Sequence, residues 1–262
     1  MSLVRGSVRF TTALIVIAIG ALLILALAWV PLRVRRIRLS AWLCTLISRL
    51  GMAVFNVKFS CREPEKLQRH QGLVFPNHIS YFDIPMMLCV IPSRFLSKHA
   101  IRAWPFIGWA AEAVGTVFVN REDKQSRAEA RRQVGEAVRA EPYPPLVLYP
   151  EGATGPGRTL LPFRYGAFDI AVQHGVPYLP CVIVYDQPEV LAWKGDESFL
   201  AALWRLACWP RPIQAQLIPL AAVHPRPGDD PQRLAAAAHH AIAAVLNVPA
   251  QMPAEHRSPL SS

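Results

Sequence analysis

From Phe10 to Leu32 the chain carries no charged residue, and as a helix such a run is long enough to cross about 30 Å of hydrocarbon. Arg5 and Arg9 precede it, Trp29 stands near its far end, and Arg33, Arg35, Arg36 and Arg38 follow at once. A cleaved signal peptide has a shorter apolar region and a small-residue cleavage site, whereas here a basic cluster stands where cleavage would fall. The run therefore reads as an anchor. Its heavier basic flank is C-terminal, which places the body of the protein on the cytoplasmic face of the cell (inner) membrane. A second apolar stretch, Leu39 to Val57, is interrupted by Thr45, Ser48 and Arg49. Those three share one helical face, which predicts a helix lying in the interface or returning beside the first. A spanning helix and a re-entrant two-helix motif both satisfy this pattern, and both tie the chain to a membrane.

From Leu73 onward the periodicity changes to short β-rich runs alternating with helical stretches. Strands are predicted at Leu73–Phe75, Arg94–Ser97, Thr116–Val119, Leu146–Tyr149, Tyr178–Tyr185 and Ile213–Leu220, each bounded by turn or polar residues. Helices are predicted around Ile84–Val90, Ala103–Ala113, Asp123–Arg139 and Tyr165–His174, the last ended by Gly175. Asp230 before Pro231 reads as an N-cap with proline at N1, opening a helix to about Leu246. The alternation implies an α/β, sandwich-like domain. The expected organisation is a membrane anchor over 1–58, a domain over 59–248, and a polar, proline-containing, disordered tail over 249–262.

Composition adds little but excludes some classes. Hydrophobic residues make up 52% and charged residues 18% of the 262 positions, an apolar balance for a purely soluble chain. The formal net charge of +10 points to an anionic partner without choosing between lipid, nucleic acid and phosphorylated substrate. The basic residues nearest the N-terminus flank an apolar anchor and no nucleic-acid motif is present, so nucleic acid is the weakest of the three. The five cysteines are scattered without a CxxC pair, which argues against a disulfide framework or a zinc site and suggests buried free thiols. HExxH is also missing, and no metal is implied.

The candidate chemistry starts at Phe75-Pro76-Asn77-His78-Ile79-Ser80-Tyr81-Phe82-Asp83, which leaves a strand and enters a helix. If the turn folds back, Asp83 can hold the His78 tautomer and stabilise the imidazolium formed on proton abstraction. By itself such a pair is more often structural than catalytic. Gly115-Thr116-Val117-Phe118-Val119-Asn120-Arg121 puts an arginine just beyond a strand, where it could pair with a phosphate or remain a solvated loop charge. Tyr149-Pro150-Glu151-Gly152-Ala153-Thr154-Gly155-Pro156-Gly157-Arg158 offers glycines for close backbone approach to an anion, although a surface turn would look similar.

Taken together these segments resemble the PlsC-type glycerolipid acyltransferases, the 1-acylglycerol-3-phosphate acyltransferases. The family's NHxxxxD motif is matched by Asn77, His78 and Asp83. Its Gly-x-x-Phe-Ile-x-Arg stretch is similar to Gly115, Phe118, Val119 and Arg121. Its Phe-Pro-Glu-Gly-Thr-Arg-Ser motif is matched by Pro150, Glu151 and Gly152, with Tyr149 in place of Phe. Its Val-Pro-x-x-Pro strand is similar to Val176, Pro177 and Pro180. Lys98 ahead of Pro105-Phe106-Ile107-Gly108, and Phe163-Arg164-Tyr165-Gly166-Ala167-Phe168, also fit the pattern, which runs in order from Leu73 to Asp186. One departure stands out: where the family often has Thr-Arg-Ser, this chain has Ala153-Thr154-Gly155. The usual phosphate-side arginine is missing or displaced, with Arg158 and Arg164 the nearest replacements.

The resemblance implies acyl transfer from acyl-CoA or acyl carrier protein to the free hydroxyl of a lysolipid, without a further cofactor. His78 is the implied base and Asp83 its orienting partner. Asn77, Arg121, Glu151, Gly152 and, as replacements, Arg158 and Arg164 are implied on the acceptor side. Lys98 and the basic flank of the anchor would attract anionic lipid. The leading acceptor is 1-acyl-sn-glycerol-3-phosphate, and the altered motif keeps lyso-ornithine lipid open. A lipid hydrolase and a non-catalytic anionic-lipid binder remain as rivals; GxSxG is absent, which leaves Ser80 a poor nucleophile.

Overall fold

A computed structural model describes residues 2–119, 124–195 and 197–249. The chain opens with α1 (Ser2–Ala28), a two-strand hairpin of β1 (Arg33–Val34) and β2 (Ile37–Arg38), then α2 (Leu39–Val54). The body follows as β3 (Val57–Cys61), α3 (Pro64–Arg69), β4 (Leu73–Pro76), α4 (Asp83–Leu88), β5 (Arg94–Lys98), α5 (His99–Arg102), α6 (Ile107–Ala113) and β6 (Val117–Val119). It closes with α7 (Lys124–Ala140), β7 (Leu146–Val147), α8 (Gly166–His174), β8 (Tyr178–Tyr185), α9 (Pro188–Leu191), α10 (Phe199–Cys208), β9 (Ile213–Pro219) and α11 (Pro231–Leu246).

The strands form one sheet in the order β3-β9-β8-β4-β7-β5-β6. Among its described strand pairs only β8–β9 is antiparallel. Helices cover both faces, so the central strands are buried on both sides and their residues alternate between two cores. On β4, Val74 joins a core with residues of α2, α4, α9 and α10, while Leu73 and Phe75 join one with α7, α8 and α11. This is the α/β sandwich that the alternation predicts.

Several elements differ from the sequence reading. Ala103–Ala113, expected as one helix, is helical only over α6 (Ile107–Ala113): α5 ends at Arg102, and between the two Pro105 supplies no N–H and Phe106 takes a positive φ of 63°. Edge strand β3, which was not expected, begins at Val57, the last residue of the second apolar stretch, and pairs in parallel with β9. Helices α3, α9 and α10 were not expected, and the strand expected to reach Tyr149 ends at Val147. Gly175 and Asp230 cap as expected: Gly175 has φ 61°, and the Asp230 carboxylate accepts from the Gln232 N–H. All five thiols are free, with Cys61 and Cys208 only half-buried. Tail residues 250–262 lie outside the described residues.

Helix α1 is packed against the body over most of its length. Gly6 faces Cys208 so closely that a Cβ there would meet its Sγ at 2.5 Å. Arg9 Nη1 donates to the Trp209 carbonyl (2.8 Å), Phe10 meets Trp204 edge-on, and Gly20 lies against Ile47 of α2. The opposite face of α1 exposes Val4, Val8, Ile15, Ile19 and Leu22. Helix α2 is inside-out for a water-facing element: it buries Ser40, Thr45 and Ser48 and exposes Leu46 and Leu50. Trp204 and Leu200 of α10 and Trp109 of α6 extend the same kind of exposed apolar surface. A surface this apolar marks a lipid or protein contact.

Candidate active site

The site begins where β4 runs out of backbone donors. Pro76, the last β4 residue, has no N–H, and Asn77 continues the ladder with its side chain. Asn77 Nδ2 donates to the Ile183 carbonyl (3.0 Å) and its Oδ1 accepts from the Ile183 N–H (2.7 Å), so the amide mimics a further β4–β8 pair. Asn77 thus fixes the exit direction of the chain.

The next residues turn sharply around a buried carboxylate. Asp83 opens α4 and is fully buried. Its Oδ2 accepts from the Ile79 N–H (2.7 Å) and the Ser80 N–H (2.9 Å), and these bonds fold the turn back. His78 Nδ1 is thereby brought to 2.7 Å from the same oxygen. The remaining oxygen, Oδ1, accepts from the Tyr185 hydroxyl at 2.8 Å. With Nδ1 engaged, Nε2 is the ring atom free to take a proton. The Tyr149 ring stacks on the imidazole, centroids 3.9 Å apart and planes at 19°. Among the described residues the buried Tyr149 hydroxyl has no hydrogen-bond partner.

The loop after β7 clamps His78 from both sides. Glu151 Oε1 accepts from the His78 N–H (2.6 Å), Oε2 from the Leu161 N–H (2.9 Å), and Gly155 N–H donates to the His78 carbonyl (2.7 Å). Glu151 is buried, and burial pushes its carboxyl up to about 7; the two backbone N–H bonds oppose that rise, and nearby Asp83 adds to it. The phenols of Tyr149 and Tyr185 are held well above the ordinary range, first by burial and then by the Asp83 charge. Gly152 has φ 73°, a left-handed conformation, and a Cβ there would come within 2.8 Å of Arg164 Nε. The Arg164 guanidinium therefore lies over the loop at this glycine.

The C-terminal ends of β4, β5 and β7 thus gather Asn77, His78, Lys98, Glu151 and Gly152, with Asp83 and Arg164 alongside, at the edge where open α/β sheets carry their sites. Arg158 stands at the exposed rim, tied to Glu189 at 3.0 Å. Lys98 is exposed. Arg121 lies outside the described residues. An aromatic group of Tyr81, Trp104, Trp193 and Phe199 joins the catalytic turn, which holds Tyr81, to α10, which opens with Phe199. Sequence reasoning missed Tyr185, and it noted Tyr149 only as a departure from phenylalanine. A tyrosine at the end of an otherwise aliphatic strand was the one available signal for Tyr185.

A histidine oriented by a buried carboxylate at the edge of such a sheet, beside an apolar surface, is the arrangement of an α/β enzyme that can activate a hydroxyl for attack on an acyl group. Residues 58–184 match the family model described as Acyltransferase. The chain is 35% identical over 193 residues to the lyso-ornithine lipid O-acyltransferase of Pseudomonas aeruginosa, covering 68% of this chain and 71% of that protein. It is 31% identical over 160 residues to the 1-acyl-sn-glycerol-3-phosphate acyltransferase of Neisseria gonorrhoeae, covering 60% of this chain and 62% of that protein. In fold it is similar to the crystal structure of the 1-acyl-sn-glycerophosphate acyltransferase PlsC from Thermotoga maritima. The TM-score is 0.72 at 19% identity, over 94% of this chain and 97% of that one. The chain belongs to this acyltransferase family.

Proposed function

We propose that the protein moves a fatty acyl group from acyl-CoA or acyl carrier protein to the free hydroxyl of a lysolipid, with His78 as general base. The observation that carries this reading is the 2.7 Å contact of His78 Nδ1 with Asp83 Oδ2. It fixes the tautomer with the Nε2 lone pair available and favours the imidazolium that forms. Nε2 takes the hydroxyl proton as the oxygen attacks the thioester carbonyl. The tetrahedral species collapses with loss of the carbon–sulfur bond, and the thiolate leaves with that proton. Base catalysis of this kind contributes roughly 10²–10⁴ in rate. Asn77 and Glu151 act by holding the His78 turn, while Arg164 and Gly152 face the acceptor's head group and Arg121 binds it as the family resemblance implies.

The acceptor in this reading is 1-acyl-sn-glycerol-3-phosphate, the substrate named for the Neisseria relative. A second reading, lyso-ornithine lipid, is favoured by three observations. Ala153-Thr154-Gly155 supplies no arginine, and Arg158 is held by Glu189 at the rim. The Pseudomonas relative is also the more similar of the two.

The protein sits on the membrane with α1 and α2 lying in the interface and the body facing the cytoplasm. In support, α1 touches α10 and α2 at points from Gly6 to Gly20, which a helix leaving the body to cross the bilayer would not do.

A lysolipid panel assayed with purified protein and acyl thioester tests the function. His78→Ala should abolish acyl transfer in a protein that still folds, and Asp83→Asn should cripple it. Normal turnover by folded His78→Ala protein, or thioester consumption that ignores added lysolipid, would sink the reading.

A further inference from the structure

The β1–β2 hairpin is built against its own backbone preferences. Arg33 pairs with Arg38 and Val34 with Ile37, leaving Arg35 and Arg36 as a two-residue turn. Both have positive φ, 51° and 69°. Two-residue turns with both central φ values positive are the type that Asn-Gly forms readily, and a side-chain-bearing residue there is strained by roughly 1–2 kcal/mol. The chain instead places its two bulkiest cations at the tip. Local structure does not ask for them; something outside the fold does.

Behind the hairpin is a cleft of about 290 Å³ lined by Arg33, Arg36, Arg38 and Arg94 together with Glu112 and Glu141. The acids are already engaged. Glu141 meets Arg33 at 3.3 Å, and Glu112 pairs with Arg102. Arg94 is part of the wall: its guanidinium donates to the carbonyls of Pro144, Ala137 and Glu141 and is buried. Among the described residues no carboxylate lies within salt-bridge distance of Arg35, Arg36 or Arg38. Those three are solvent-exposed cations in search of an anion.

The neighbours identify its source. Trp29 is 90% exposed, and Leu32 and Val34 are exposed beside the arginines. An exposed indole and aliphatics interleaved with guanidiniums fit the head-group layer of a bilayer, where one end of each side chain is wet and the other apolar. The hairpin also directly follows α1, whose outer face is apolar from Val4 to Leu22. The cleft sits at the start of β5 and β7, since Arg94 opens β5 and Pro144 precedes β7. His78 follows the other end of the parallel strand β4, so the two sites stand apart by on the order of 15 Å, a strand length. What binds here is not the acceptor of the reaction.

We propose that the Arg33–Arg38 hairpin and its cleft grip the phosphate of an anionic membrane phospholipid, pinning the far end of α1 to the bilayer. The inference rests on the membrane placement proposed above and is independent of the acyl-transfer chemistry.

The turn itself supplies the test. Arg35→Asn with Arg36→Gly removes both charges while installing the preferred turn, so the thermal unfolding midpoint should hold or rise. Full-length protein exchanged from detergent onto vesicles should then bind phosphatidylcholine vesicles containing phosphatidylglycerol roughly 30-fold more weakly than the parent. That is about 2 kcal/mol for two charges near an anionic surface, at 1.4 kcal/mol per tenfold. Binding to pure phosphatidylcholine should be unchanged, Arg35→Lys with Arg36→Lys should keep most of the affinity, and high salt should erase the difference. Lysolipid acylation in detergent micelles should be unaffected, which separates failure of this inference from failure of the acyltransferase reading. Equal affinity of parent and Asn-Gly variant for anionic vesicles overturns the proposal. So does an equal loss on both vesicle types, or a loss of affinity for acyl carrier protein with vesicle binding intact.

Discussion

The Tyr185 hydroxyl donates to Asp83 Oδ1 over 2.8 Å, on the carboxylate oxygen that His78 does not use, from a strand 102 residues further along the chain. Asp83 is therefore held at both oxygens by fixed donors: two backbone N–H groups and the imidazole on Oδ2, and a phenol on Oδ1. A carboxylate held in this way cannot rotate away from the histidine. Tyr185→Phe should leave the fold intact and lower kcat by about tenfold with KM little changed, since a hydrogen bond to a charged group is worth roughly 1.5–3 kcal/mol. A rise in KM at constant kcat would show that Tyr185 acts on substrate instead.

Tyr149 makes the converse case. Its ring stacks on His78, but its buried hydroxyl has no partner among the described residues. An unsatisfied buried hydroxyl costs about 1–3 kcal/mol. Tyr149→Phe keeps the stack and removes the orphan, so it should raise the melting temperature by roughly 2–4 °C and leave kcat/KM within twofold. Tyr149→Ala frees the imidazole plane and should lower kcat. A destabilised phenylalanine variant would mean that the hydroxyl is satisfied in solution.

Glu151 separates positioning from recognition. Its oxygens accept the His78 and Leu161 N–H groups, and glutamine in its place can accept only one of them. Glu151→Gln should lower kcat about tenfold with KM within twofold, whereas a head-group contact would show in KM. Burial also raises this carboxyl from 4.5 to about 7, so the folded chain holds the proton more tightly than the unfolded chain. The stability contributed is full below about 4.5 and is lost as pH rises through about 7. Plotted against pH, the unfolding free energy of the parent relative to Glu151→Gln should fall across that window and flatten above it. A difference that does not change with pH would refute the assignment.

How much of this was legible beforehand depends on the range of each interaction. Strands β4 to β9 follow from short β-branched runs between turn residues, a local signal. Edge strand β3 does not, because Lys58 and Ser60 weaken its pattern and its partner β9 lies about 150 residues away. The His78–Asp83 pair was readable as spacing, yet its closure depends on the Ile79 and Ser80 N–H groups meeting the carboxylate, which spacing does not reveal. Glu151 was visible as part of a motif, but its attachment to the His78 backbone is a contact between loops 73 residues apart. On α2, spacing puts Thr45, Ser48 and Arg49 on one face, but only Thr45 and Ser48 are buried; Arg49 stays exposed and reaches the Cys89 carbonyl with its guanidinium, a division that appears only when the body and α1 are placed against the helix.

The placement of α1 gives the last prediction. At 27 residues the helix is about 40 Å long, enough to span a bilayer, so length alone does not separate a span from an in-plane helix. Packing does. A helix that crosses on its own tolerates a larger residue at position 6, whereas one lying along the body meets Cys208 there. Gly6→Leu should therefore destabilise the protein in detergent by about 1–3 kcal/mol through overpacking and weaken the edge-on contact of Phe10 with Trp204. On the outer face the prediction reverses. Ile15→Arg with Ile19→Arg touches no packed residue of the body, so stability in detergent should hold while binding to vesicles falls steeply. A crossing helix given two central arginines would instead fail to insert and be lost from membranes together with its stability. If Gly6→Leu has no effect on unfolding, the helix leaves the body and the in-plane arrangement is wrong.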